Sequence, residues 1–194
     1  QRRLEALIPS PLRTALPNLV SLGRLLSVPV AIWLMLSDHH MAALWLFVAA
    51  AVSDALDGFL ARQFGVRSVI GSYLDAIADK VLLVSVYVTL GYKGHIEIWL
   101  VILVVFRDFL IIGGSALQFM LGGTLGVRPL LISKINTTAQ LILASLVLGK
   151  LAFVVEDYDA TIVLTYAVAA TTFVSGAAYL AVWAWRIMGM GQVR

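Results

Sequence analysis

Apolar residues run along this chain in blocks of about 20, the length an α-helix needs to cross roughly 30 Å of hydrocarbon at about 1.5 Å per residue. Six such blocks are legible, over residues 17–37, 41–63, 69–92, 96–121, 133–154 and 160–188. Polar or turn-forming stretches separate them: "SDHH", "RQFGVRS", "YKGHIE", "GGTLGVRP" and "EDYDA". The pattern predicts an all-α fold, a polytopic membrane protein with six transmembrane helices. No repeat, linker or low-complexity stretch divides it, so a single membrane domain is expected over residues 1–194, with 1–16 as a juxtamembrane segment. Within that segment, "QRRLEALIPSPLRTAL" reads as a short N-terminal helix lying on the membrane surface, interrupted by two prolines.

Composition sharpens this picture. The chain is 61% hydrophobic and 13% charged, whereas a soluble domain is roughly half apolar and a quarter charged. Lys and Arg then set the orientation. With the N-terminus inside, Arg2, Arg3, Arg13, Arg62, Arg67, Arg128, Lys134, Arg186 and Arg194 fall on the inner side, and only Lys93 and Lys150 on the outer. That bias places both termini inside, on the cytoplasmic face or its equivalent. Because the basic residues are spread over membrane-edge loops, the net charge of +3 does not point to nucleic acid. Cysteine is absent, which removes disulfides and thiolate metal sites. The chain opens on Gln1, as a trimmed or processed start would, and no signal-peptide pattern is visible. Trp183 and Trp185 read as interface anchors, and His39, His40 and His95 as solvated loop residues.

Four acids contradict the apolar setting. Asp54 and Asp57 are three apart near the inner end of the second block, and Asp75 and Asp79 four apart near the inner start of the third. At about 100° per residue each pair shares a helix face. The connection over 63–68 is short, so the two helices are expected to be antiparallel neighbours, their four carboxylates converging on one cavity open to the inner side. Each aspartate costs on the order of 2.5–3.5 kcal/mol in a membrane helix. Arg62 and Lys80 are too few to neutralise four of them. Oxygen-only ligands suit hard divalent cations, and two such ions on shared carboxylates are the usual apparatus of phosphoryl chemistry. The plainer alternative is an acidic cluster paired with buried Arg or Lys.

The full spacing is Asp54-x2-Asp57-Gly58-x2-Ala61-Arg62-x8-Gly71-x3-Asp75-x3-Asp79. It resembles the signature of the CDP-alcohol phosphatidyltransferases, membrane enzymes of phospholipid synthesis, and the six-span layout resembles theirs along the whole chain. The resemblance implies transfer of a phosphatidyl group from CDP-diacylglycerol to an alcohol, with release of CMP. It implies two divalent cations, Mg²⁺ or Mn²⁺, held by Asp54, Asp57 and Asp75 together with the donor's diphosphate. Asp79 would be the general base and would also touch a metal. A low-dielectric site crowded with acids makes such a carboxylate a better base. Gly58, Ala61 and Gly71 would leave room for the nucleotide, or serve tight helix packing. Arg62 would bind a donor phosphate or anchor the span. The entry "LPNLVSLGR" is similar to the family's Pro-Asn-Leu-(Thr/Ser)-x-x-Arg opening, which brings in Asn18 and Arg24 near the nucleotide. Their ordinary roles would be a helix cap and a snorkelling cation.

For the acceptor, Arg107 in "VVFRDFLIIGG" reads as an anion clamp, or as the partner of Asp108 or a motif aspartate. Arg128 and Lys134 could bind phosphate, assisted by Ser133, or supply ordinary positive-inside charge. The segments "RPLLISKINTTAQLILAS", "FRDFLI" and "IPSPLRTALPNLVSLGR" most resemble CMP-forming cardiolipin synthases, although Ala76 stands where both that subfamily and the phosphatidylglycerophosphate synthases usually have Pro. This implies phosphatidylglycerol as acceptor and cardiolipin as product. The alternative is phosphatidylglycerophosphate synthase, with glycerol 3-phosphate as acceptor. A cation-conducting transporter or a catalytically dead scaffold are the readings from other classes. The resemblance also implies a homodimer among membrane lipids. The inner side could be bacterial cytoplasm or an organelle interior; a bacterial inner membrane, with the active site facing the cytoplasm, is the default expectation.

Overall fold

Six helices account for nearly all of the described residues: α1 (Ser10–Leu36), α2 (His40–Phe64), α3 (Val69–Tyr92), α4 (Ile98–Met120), α5 (Leu131–Phe153) and α6 (Tyr158–Ile187). The computed structural model describes residues 10–64, 69–120, 131–155 and 158–187, with side chains over 22–53, 78–114, 131–155 and 159–185. No strand occurs among them. The apolar blocks match the helices to within two residues at every end except the first. There α1 starts at Ser10, continuous with the first block, and residues 10–16 are its opening turns rather than a separate surface helix. Pro11 falls in the first turn, where its missing N–H has no partner to lose, and Pro17 gives up one hydrogen bond without ending the helix. Residues 1–9 lie outside the described residues.

The helices pack as a ring. α1 lies along α3 and also touches α2; α2 meets α5; α5 meets α6; α6 meets α4; and α4 returns to α3. A cross-contact between α3 and α5 pinches the ring into two four-helix compartments. At the pinch the Tyr87 hydroxyl donates to the Gln140 carbonyl at 3.0 Å. This departs from the expected α2–α3 neighbour pair. Among the described residues α3 packs on α1, α4 and α5, and α2 faces it across a cavity.

Tyr87, Phe47, Leu90, Leu100, Leu143 and Leu148 are fully buried in the core of the bundle. Outward, α1 shows Leu22, Leu26, Val30, Trp33 and Leu36, and α4 shows Ile98, Ile102, Phe106, Phe109 and Ile112. Apolar stripes on the outside at helical spacing invert the soluble pattern and mark a surface meant for lipid. Among the described residues, Leu131–Phe153 and Asp159–Trp185 are long and apolar enough to cross a membrane. Trp183 is not an interface anchor: its ring lies against Gly114 of α4, where a Cβ would overlap it. Trp185 is exposed.

Three helices close in the same way at the end away from the four aspartates. His39 N–H donates to the Leu34 carbonyl, His95 N–H to Leu90, and Val155 N–H to Lys150, at 2.9, 2.9 and 3.1 Å. Each closure needs a left-handed residue, supplied by Asp38 (φ 59°), Gly94 (φ 76°) and Val154 (φ 54°). Glycine takes that conformation freely and aspartate with little cost, but a β-branched valine does not. Val154 is 87% exposed, so its side chain contributes little packing. Val154→Gly should therefore stabilise the protein by about 1 kcal/mol, read as a higher unfolding temperature in detergent. An unchanged or lower temperature would count against this strain.

Candidate active site

Asp79 sits in the third turn of α3, and Arg24 of α1 reaches it. The Arg24 Nη1 donates to the Asp79 Oδ1 in an ion pair whose arginine side chain is 2% exposed and whose aspartate is 40% exposed. Arg24 therefore does not snorkel. It points inward and orients the carboxylate at the edge of a cavity of about 250 Å³. Four helices wall that cavity: α1 with Arg24, α2 with Phe47, Ala50 and Ala51, α3 with Asp79 and Lys80, and α5 with Thr137. The alanines of α2 are small enough to leave the space open.

The backbone continues this arrangement toward the helix ends. Asp54 falls one turn beyond Ala50 and Ala51 on α2, Asp57 follows by a further turn, and Asp75 lies one turn before Asp79 on α3. The side chains of Asp54, Asp57, Gly58, Ala61, Arg62, Gly71, Asp75 and Asn18 are outside the described residues, as is Arg128. Asn18 lies in the third turn of α1, which rules out its alternative role as the helix cap. The Asp79 carboxylate, an oxygen donor partly open to the cavity, fits a hard divalent cation in chemistry and access. Among the described residues no three His, Asp or Glu side chains are grouped to hold a metal.

The second compartment holds a different constellation. Lys80 Nζ donates to both oxygens of Asp108, at 3.0 and 3.1 Å. Arg107 Nη1 donates to Asp108 Oδ1 at 2.6 Å. The guanidinium also reaches α6 and α5: Nε and Nη2 donate to Ser175 Oγ at 3.1 and 2.6 Å, and Nη2 to Ser133 Oγ at 2.5 Å. Arg107 and Asp108 are buried. Of the alternatives open for Arg107, pairing with Asp108 is what is found, and the structure brings it together with Ser133. Lys134 is exposed at the start of α5. One turn deeper, the Asn136 Oδ1 accepts from Thr172 and Thr171 at 2.8 and 2.9 Å. The Lys80–Asp108 bond and the part played by Ser175 went unseen in the sequence. The available signal was a lysine beside Asp79 and a serine on the inward face of α6.

A second cavity, of about 890 Å³, opens at the opposite end of the bundle between His40, His95, Glu97, Lys150 and Thr161. It lies at the far ends of α2 and α3 from the aspartates. The His40 and His95 rings meet edge to face at 6.3 Å, so these two are not simply solvated. Burial, then the nearby His40 and Lys93 charges, push His95 below its ordinary value. Lys93 hydrogen-bonds Asp38 and holds that carboxyl below the usual carboxylate range.

A family model described as CDP-alcohol phosphatidyltransferase matches residues 14–183. The chain belongs to the CDP-alcohol phosphatidyltransferase family. Among curated relatives of this chain is the CDP-diacylglycerol–glycerol-3-phosphate 3-phosphatidyltransferase 1, chloroplastic, of Oryza sativa subsp. japonica. It is 39% identical over 184 residues, covering 84% of this chain and 55% of the rice protein. The cardiolipin synthase (CMP-forming) of Homo sapiens is 33% identical over 180 residues, covering 84% of this chain and 58% of its own. A Bacillus subtilis CDP-diacylglycerol–glycerol-3-phosphate 3-phosphatidyltransferase is 29% identical over 181 residues, covering 84% of this chain and 92% of its own. The chain thus spans little more than half the length of the rice and human relatives. Nothing in these likenesses supports a cation-conducting transporter.

The Arg107 cluster yields a stability test. Lys80 still meets Asp108 when Arg107 is removed, so the loss is that of hydrogen bonds made by a charged group, about 1.5–3 kcal/mol. Arg107→Met should destabilise by that order. Arg107→Lys should rescue little, because an ammonium cannot span Asp108, Ser133 and Ser175 as the planar fork does. Thermal unfolding in detergent checks both. Full rescue by lysine would show that charge alone matters at this position.

Proposed function

We propose that this chain is a six-span integral membrane enzyme of phospholipid synthesis that transfers the phosphatidyl group of CDP-diacylglycerol to phosphatidylglycerol, giving cardiolipin and CMP. The observation that carries the chemistry is the oriented Asp79 carboxylate, held by Arg24 at a four-helix cavity toward which α2 and α3 bring the other three motif aspartates. Asp54, Asp57, Asp75 and Asp79 are assigned two divalent cations, Mg²⁺ or Mn²⁺, in keeping with a family that generally uses them. Bound there, such ions would offset charge on the donor's diphosphate and on the departing CMP. Asn18, Arg24, Asp57, Gly58, Ala61, Arg62 and Gly71 are assigned to the donor.

In the reaction, an acceptor hydroxyl oxygen forms a bond to the phosphorus of the phosphatidyl group. The bond from that phosphorus to the oxygen it shares with CMP breaks, and Asp79 takes the hydroxyl proton. Arg107, Arg128, Ser133 and Lys134 are assigned to the acceptor's phosphate, with Arg107 and Ser133 joined by the bond described above. The distribution of Lys and Arg supports both termini inside and an active site facing the cytoplasm, in a bacterial inner membrane. A homodimer completes the reading.

A second acceptor has its own support. The rice and Bacillus subtilis relatives are named for glycerol 3-phosphate, and the rice identity exceeds the human one. Purified protein in detergent, given CDP-diacylglycerol and Mn²⁺ with either phosphatidylglycerol or glycerol 3-phosphate, separates the two by mass spectrometry of products. Cardiolipin from phosphatidylglycerol is expected, with Asp79→Asn slowed by at least about a hundredfold, the usual contribution of a positioned base. Phosphatidylglycerophosphate would establish the second acceptor. No CMP from either would overturn the proposal.

A further inference from the structure

Lys80 stands on α3, the helix that both compartments share. Its side chain lines the aspartate cavity beside Asp79. Its ammonium nevertheless points into the other compartment, bonded to both oxygens of Asp108. Packing alone does not fix it there, because the side chain is 27% exposed on a flexible four-carbon stem. Asp108 does. That carboxylate is itself immobile: it takes Arg107, and Arg107 is braced by Ser133 and Ser175.

One cation suffices to compensate a buried carboxylate, and Arg107 already does so for Asp108. The second is therefore not required by the burial of Asp108. The requirement lies with Lys80. Released next to Asp79, its ammonium would have that carboxylate, in the same cavity, as its nearest acid among the described residues, and opposite charges attract strongly where water is scarce.

We infer that Asp108 is a positioning residue that draws the Lys80 ammonium away from Asp79, whose carboxylate Arg24 orients, and so keeps Lys80 from competing there with a divalent cation. Arg107, Ser133 and Ser175 act through it. This rests on the metal reading proposed above. Ammonium and metal ion are competitors for the same oxygens, so loss of the restraint weakens metal binding and loss of the lysine as well restores it.

The test is a Mn²⁺ titration of the full chain in detergent, followed by the rise in unfolding temperature and by the EPR signal of free Mn²⁺, neither of which needs turnover. Four proteins are compared: the parent, Asp108→Asn, Lys80→Met and the double variant. Asparagine keeps an acceptor for Arg107 while releasing Lys80. Asp108→Asn should bind Mn²⁺ more weakly by on the order of tenfold, the effect of one close opposite charge on a carboxylate. The double variant should return to the parent's value, and Lys80→Met alone should bind at least as tightly as the parent. Unchanged binding by Asp108→Asn, failure of the double variant to recover, or weaker binding by Lys80→Met would each overturn the inference. Should Asp108→Asn not fold, Lys80→Met decides, since it leaves the Arg107–Asp108 pair intact. A parent that ignores Mn²⁺ brings down the metal reading and this inference with it; a responsive parent with the wrong variant pattern brings down this inference alone.

Discussion

A buried carboxylate shared by two cations ties the bundle together. Asp108 on α4 binds Lys80 on α3, and through Arg107 the same point reaches Ser133 on α5 and Ser175 on α6. Apolar contacts between helices are poorly discriminating in lipid, because the tails are as oily as the side chains they replace. Close packing and interhelical polar bonds then decide which helices meet and in what register. An uncompensated charge costs on the order of 2.5–3.5 kcal/mol in that setting. Sliding any one of these four helices by a turn would strand a charge or a guanidinium donor. The Arg24–Asp79 pair does the same for α1 against α3 in the neighbouring compartment.

This division gives the molecule two ends of different character. Toward one, Tyr87, Leu90, Leu100 and Leu148 are buried, and three helices finish in left-handed closures where the cavity of about 890 Å³ opens. At the other, small residues of α2 and polar residues of α1, α3 and α5 leave a cavity beside Asp79. A site that must admit a charged headgroup gains from such an arrangement.

Much of this was legible in the sequence. The six helices follow from the lengths of the apolar blocks, and their ends agree because Asp38 and Gly94 mark real turns. The start of α1 was missed because proline was read as an interruption, whereas Pro11 sits where a helix tolerates it. Asp79 was legible by type and spacing, since a carboxylate inside an apolar helix is costly unless a cation meets it there. Its partner was less so. Arg24 is 55 positions away, and nothing in a linear pattern says whether an arginine near a helix end turns outward or in. Lys80 was harder still, because a side chain on a helix shared by two compartments can face either one. The choice is made by Asp108, which no local spacing connects to it. The packing of α3 on α1 rather than α2 belongs to the same class: short connections predict neighbours, and a cavity between them overrides that expectation.

Arg107 and Asp108 are consecutive, so α4 carries its own counter-ion. Under the six-span reading, that segment leaves the translocation machinery as an electrically neutral unit before α5 and α6 exist to receive it. The adjacent pair lets α4 dwell in lipid during synthesis, with Lys80 already waiting on α3. The two serines that complete the cluster lie on α5 and α6, the last helices of the chain.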